Sequence, residues 1–105
     1  MNSNQPLSEQ FRHAAETWAD AEAAASLLEE SKSAVLARRM AELGDVPVNR
    51  AERDIKASPE WSDYIGQMCK ARAEANLAKV QVEYLRVKIQ EWQSEAADER
   101  LRAKL

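Results

Sequence analysis

WSDYIGQMCKARAEANLAKVQVEYLRVKIQEWQSEA, residues 61–96, decides the fold. Within it Trp61, Tyr64, Met68, Ala71, Ala75, Ala78, Val82, Leu85, Ile89, Trp92 and Ala96 follow one another by strictly alternating steps of three and four. That alternation is the seam of a long coiled-coil helix. A second line on the same segment, Ala73, Leu77, Val80, Tyr84 and Val87, keeps the rhythm but falls roughly 160° around the helix, at 100° per residue. One neighbouring helix cannot cover both lines.

Outward from this stretch, the chain reads as all-α. It has 105 residues with only two glycines and three prolines, many alanines and few aromatics. Such a composition suits helices packed side by side rather than a thick globular core. Upstream, Leu7, Phe11, Ala14, Trp18, Ala21, Ala25 and Leu28 form another alternating line, after which the apolar positions shift phase to Leu36, Met40 and Leu43. Pro6 suits a first helical turn, and Gly44 with Pro47 after it suits a stop. Asn49 followed by Glu52 approaches a capping box, and Ser58-Pro59-Glu60 reads as a fresh helix start. The expected organisation is a single helical-hairpin domain over 1–105. Residues 1–5 are flexible, helix 1 runs over 6–43, a turn over 44–58 carries a short helix at 49–57, and a long helix covers 59–104. The last would measure about 69 Å at 1.5 Å per residue, with Gly66 its weak point at about 1 kcal/mol relative to alanine.

A compact connection between two long helices makes them antiparallel neighbours. Matching small residues to small predicts a register that sets Ala25 against Ala78, Trp18 against Leu85 and Phe11 against Trp92. Charge agrees with this pairing. Glu16 to Glu30 carries five acids and no base, whereas Lys70 to Lys88 carries five bases and two acids. The outer line would then face water in a lone hairpin. Burying its four larger groups is worth roughly 6–12 kcal/mol, against an association cost of about 4–15 kcal/mol. The expectation is a homodimer or higher oligomer, built as a four-helix assembly, with Ala73, Leu77, Val80, Tyr84 and Val87 as the oligomer or partner interface. The alternatives are cover by the short helix or the amino-terminal segment, or by a foreign protein.

Chemistry is sparse. Glu9, His13 and Glu16 share a helical face and could in principle hold a metal, but a solvated face is the ordinary reading. Cys69, the only cysteine, permits no intrachain disulfide and reads as a half-buried structural thiol. There is no glycine-rich phosphate loop, no second histidine and no nucleophile with a base, so neither an enzyme nor a cofactor is expected. The net charge of −3 gives no bulk attraction to polyanions. A local concentration at the turn, Lys32, Arg38, Arg39, Arg50, Arg53 and Lys56 against Glu42, Asp45, Glu52 and Asp54, offers an alternative nucleic-acid contact through Arg38, Arg39, Arg50, Arg53 and Lys56, although these bases can pair with nearby acids. Near the end, Glu91, Glu95, Asp98 and Glu99 precede Arg100, Arg102 and Lys104, a solvated tail on the ordinary reading. Met1 to Pro6 are polar and no stretch approaches eighteen apolar residues, so no membrane span or signal peptide is expected, and with a single cysteine the natural location is cytoplasmic.

Asp45-Val-Pro-Val-Asn-Arg-Ala-Glu-Arg, Lys56-Ala-Ser, Trp61, Tyr64-Ile65, Ala71-Arg-Ala-Glu-Ala-Asn, Glu83-Tyr-Leu and Glu91-Trp-Gln together resemble small helical proteins of temperate bacteriophages and prophages, over about residues 28–95. The resemblance implies an accessory protein of the kind that serves replication, recombination or defeat of host defence, working in the host cytoplasm and contacting a host or phage protein. A structural virion component is a further alternative. Secreted helical hairpins with Trp-x-Gly at the turn do not fit, because Met40-Ala-Glu-Leu precedes Gly44. Chaperone hairpins of the prefoldin type do not fit either, because 44–58 has no strand alternation.

Overall fold

The computed structural model describes residues 5–105, and these are all-α: α1 is Leu7–Glu42, α2 is Val48–Lys56 and α3 is Pro59–Ala103. Each element agrees to within a residue with its expected bounds. Expected flexibility at residues 1–4 lies outside the described residues. The Gln5 carbonyl is held by the Gln10 side-chain amide at 2.7 Å.

The helix ends follow from local chemistry. The Pro6 carbonyl accepts from the Glu9 and Gln10 N–H groups, both at 3.0 Å, and so starts α1. Gly44 ends it in the left-handed region at φ +78°, where a side chain would be strained. The Ser58 hydroxyl donates to the Ile55 carbonyl at 2.6 Å and accepts from the Trp61 N–H at 3.2 Å. One side chain thereby closes α2 and caps α3. The capping box expected at Asn49 does not form. Helix α2 enters from Pro47, in the extended region at φ −55° and ψ 140°, with no side-chain cap. Asn49 therefore sits inside the first turn, because the proline already fixes the entry angle and its carbonyl takes the Ala51 N–H at 2.9 Å.

The chain packs as two compact units. Unit 2, Ala21–Ala75, holds the end of α1, all of α2 and the start of α3. Ala25, Ala51, Trp61 and Ala75 are buried there, and the Trp61 and Tyr64 rings stack with centroids 5.6 Å apart. Past Leu28 the apolar face of α1 rotates as expected: Lys32 is exposed while Val35, Leu36 and Met40 are half-buried. Leu43 is more exposed than the seam pattern implies.

Unit 1 combines Asn76–Leu105 with the described part of Met1–Asp20. Its core is Ala14, Val82 and Leu85, with Phe11 and Trp18 packed against it. Within each unit the α1 and α3 segments run antiparallel. In unit 2, Tyr64 meets Leu28 while Arg72 reaches Glu22. In unit 1, Ala78 and Gln81 share a shallow groove with His13, Ala14 and Thr17, while Ile89 and Trp92 lie beside Pro6 and Leu7.

The register departs from the expected one. In unit 1, where Phe11 was expected to face Trp92, the Arg86 guanidinium lies over the Phe11 ring at 5.9 Å, and Ala78 borders Ala14. Small alanines accept several alignments, so size matching alone could not choose among them. Within unit 2, the polar contacts of Arg72 and Tyr64, described below, tie α1 to α3 at defined positions.

Candidate interaction faces

Helix α3 presents the outer line as the periodicity requires. Leu77 is 72% exposed, Val80 58%, Tyr84 55% and Val87 52%, and Ala73 is exposed as well. The opposite line is the packed one, with Val82 and Leu85 buried and Ala78 and Ile89 half-buried. Lys88 places its ammonium 5.8 Å from the Tyr84 ring centre, so even the polar neighbour of this face lies along an apolar surface. Single exposed apolar residues are ordinary, but four large ones aligned on successive turns make a contiguous patch.

The turn bases are mostly engaged with acids of their own helices. Arg39 lies 3.8 Å from Glu42, Arg50 3.8 Å and Arg53 4.0 Å from Asp54, and Lys56 2.8 Å from Glu52. Only Arg38 of the five has no ion-pair partner among the described residues. These pairs are exposed and individually weak, yet they offset much of the local positive field.

The charge complementarity expected between the two long helices is carried by one residue that composition alone did not single out. Arg72 forks its guanidinium onto two carboxylates of α1, with Nη1 to Glu22 at 2.7 Å, and Nε and Nη2 to Glu29 at 2.8 and 2.7 Å. Hydrogen bonding from Arg72 holds the Glu29 carboxyl below its ordinary range, and the two acceptors raise the arginine. The signal was present: Glu22 and Glu29 stand one heptad apart on one face, across from a lone arginine. The Tyr64 hydroxyl adds a hydrogen bond to the Leu28 carbonyl.

The remaining candidates resolve differently. Both carboxylates of the Glu9, His13 and Glu16 face are taken by Arg12, at 2.7 and 2.9 Å, which holds Glu9 below its usual range. Among the described residues no group of three metal-ligating side chains is assembled. Cys69 is exposed, not half-buried as expected, because its position lies between the two apolar lines of α3. Trp92, expected in the core, is 60% exposed, since the register carries Phe11 to Arg86 and leaves the indole beside Pro6 and Leu7. No described helix is long and apolar enough to cross a membrane. The chain matches no protein-family model, no curated protein and no solved structure.

Proposed function

We propose that this chain is a non-enzymatic accessory protein of phage or prophage type, which self-associates through the outer face of α3 and, as an oligomer, engages a protein partner such as a host defence or recombination factor. The supporting observation is the aligned exposure of Leu77, Val80, Tyr84 and Val87. A second copy offering the same line suits this face, because an isologous contact buries both stripes at once. The phage setting rests on the sequence resemblance, and the cytoplasmic location on that resemblance together with the single cysteine.

Light scattering after size exclusion tests the assembly. The expected mass is that of a dimer or larger, and it falls in Val80→Glu with Tyr84→Glu while helicity is retained. A mass unchanged by these charges would reject the outer face as the interface. The nucleic-acid alternative through Arg38, Arg39, Arg50, Arg53 and Lys56 is disfavoured by the turn ion pairs. It predicts DNA binding that weakens steeply with salt and disappears in Arg50→Glu with Arg53→Glu.

A further inference from the structure

The packed seam of α3 outruns its cover. Ile89, half-buried, is its last large apolar residue with such cover. The same three-four line continues through Trp92, Ala96, Glu99 and Ala103, and from Gln90 onward every residue but Ala96 is exposed. Trp92 is flanked by apolar concavities on both sides, one towards Leu7 and Ile89, the other towards Ala96 and Ala103. Pro6 and Leu7 reach only the near side of Trp92; beyond it the groove along this seam is lined by α3 residues alone.

Its charges are segregated. Glu91, Glu95 and Glu99 follow one another at steps of four, so like charges stack along one side of the helix, an arrangement unfavourable in isolation. Arg100, Arg102 and Lys104 come after. Among the described residues, none of Glu91, Glu95, Asp98, Glu99, Arg102 and Lys104 has an ion-pair partner within 4.0 Å, and Arg100 donates only to the Ala96 carbonyl at 3.3 Å.

We infer that the Trp92–Lys104 end of α3 is a self-association surface distinct from the outer stripe, and that its occupant is the same segment of a second copy running antiparallel. Charge selects one register among those that coiled-coil geometry allows. Setting Trp92 over the partner's Ala103 places Ala96 against the partner's Glu99, and brings Glu95 beside the partner's Arg102 on both sides of the two-fold axis. Acidic and basic halves then meet, and each stacked glutamate run gains cations. A parallel pairing fails on two counts. It would bring the two Glu99 carboxylates together on the seam, and it would drive the two α1 segments, each packed on the same seam up to Ile89, into one space. In the antiparallel arrangement the incoming segment runs in the direction of α1. About three turns per copy is a small contact beside standard interfaces, so the association is weak, concentration-dependent and salt-sensitive.

The test uses the full chain carrying Val80→Glu and Tyr84→Glu, in which the outer stripe is silenced, and measures sedimentation over a wide concentration range at low salt. The expected result is a reversible dimer that weakens on the order of tenfold in Glu95→Lys or Arg102→Glu, through reversal of two exposed pairs. The dimer returns when these two single variants are mixed. In the mixed pair each introduced lysine faces an introduced glutamate, and the unaltered Arg102 of one copy faces the unaltered Glu95 of the other. Helicity by circular dichroism stays constant throughout. A protein monomeric at every concentration overturns the inference, as does a dimer indifferent to Glu95→Lys, or a mixture no stronger than its components. The two surfaces fail separately. Loss of all assembly in the stripe variants would leave the stripe standing and remove this surface, whereas assembly unmoved by the stripe charges but lost in Glu95→Lys would do the reverse.

Discussion

The two units solve the same packing problem with different chemistry. In unit 2 the α1 and α3 segments are joined by directed polar contacts, the Arg72 fork onto Glu22 and Glu29 and the Tyr64 hydroxyl on the Leu28 carbonyl. In unit 1 they are joined by a small apolar core of Ala14, Val82 and Leu85, and the described ion pairs there, Arg12 with Glu9 and Glu16, stay within one helix. Polar forks fix alignment, whereas apolar contacts between alanine-rich helices supply burial with little preference for register. The exposed apolar residues differ too: unit 2 leaves Leu27 and Val48 exposed on separate helices, whereas unit 1 leaves Leu77, Val80, Tyr84 and Val87 exposed along one line of α3, with Trp92 beyond them.

Substitutions can break or sharpen this contrast. The largest expected effect is Leu85→Ala, which empties the most buried large side chain of unit 1. A loss of about 2–5 kcal/mol in urea unfolding is expected, with amide protection falling more in unit 1 than in unit 2. Equal loss of protection in both would show that the apolar core is not local to its unit. Next, Ala25→Leu forces volume into a fully buried site of unit 2, for which overpacking costs about 1–3 kcal/mol. If it proves neutral, the helices there approach less closely than the burial of Ala25 implies. Tyr64→Phe removes one hydrogen bond while keeping the ring stacked on Trp61, and a loss of about 0.5–1.5 kcal/mol is expected.

The smallest effect is a pH dependence. Because the folded Glu29 carboxyl titrates below its ordinary value, the unfolded chain binds more protons in the acid range. Its contribution is therefore fully present above about pH 4.3, the ordinary glutamate value, and is lost as pH falls through the lowered folded one. Arg72→Met should flatten that part of the stability profile; parallel acid limbs for the variant and the parent would show the fork to be energetically silent.

The seams were legible because apolar side chains recur at helical spacing. Val82, Leu85, Ala75 and Trp61 are buried where the alternation puts them, and the outer line is exposed where it should be. Gly44 and Ser58 were legible because a positive φ and a capping hydroxyl each require a particular residue type. Register was not legible. Alanine seams slide at little cost, so spacing and side-chain size leave several alignments open. Trp92 was misplaced for the same reason, and Asn49 because Pro47 preempts the start of α2. The candidate faces were half readable: the stripe follows from periodicity, whereas the pairing of the turn bases depends on rotamers that spacing only permits.

The hydrogen bonds across unit 2 are also graded in sequence separation. Tyr64 to Leu28 spans 36 residues, Arg72 to Glu29 spans 43, and Arg72 to Glu22 spans 50. Lengthening a closed loop over that range costs only about 0.3 kcal/mol more in chain entropy. Once the Tyr64 contact has closed, each later one therefore adds its enthalpy at almost no extra ordering penalty, and the pair can zip away from Gly44 instead of searching for each contact afresh. Refolding should accordingly be limited by the first closure near the turn, with amides beside Tyr64 acquiring protection before those beside Arg72.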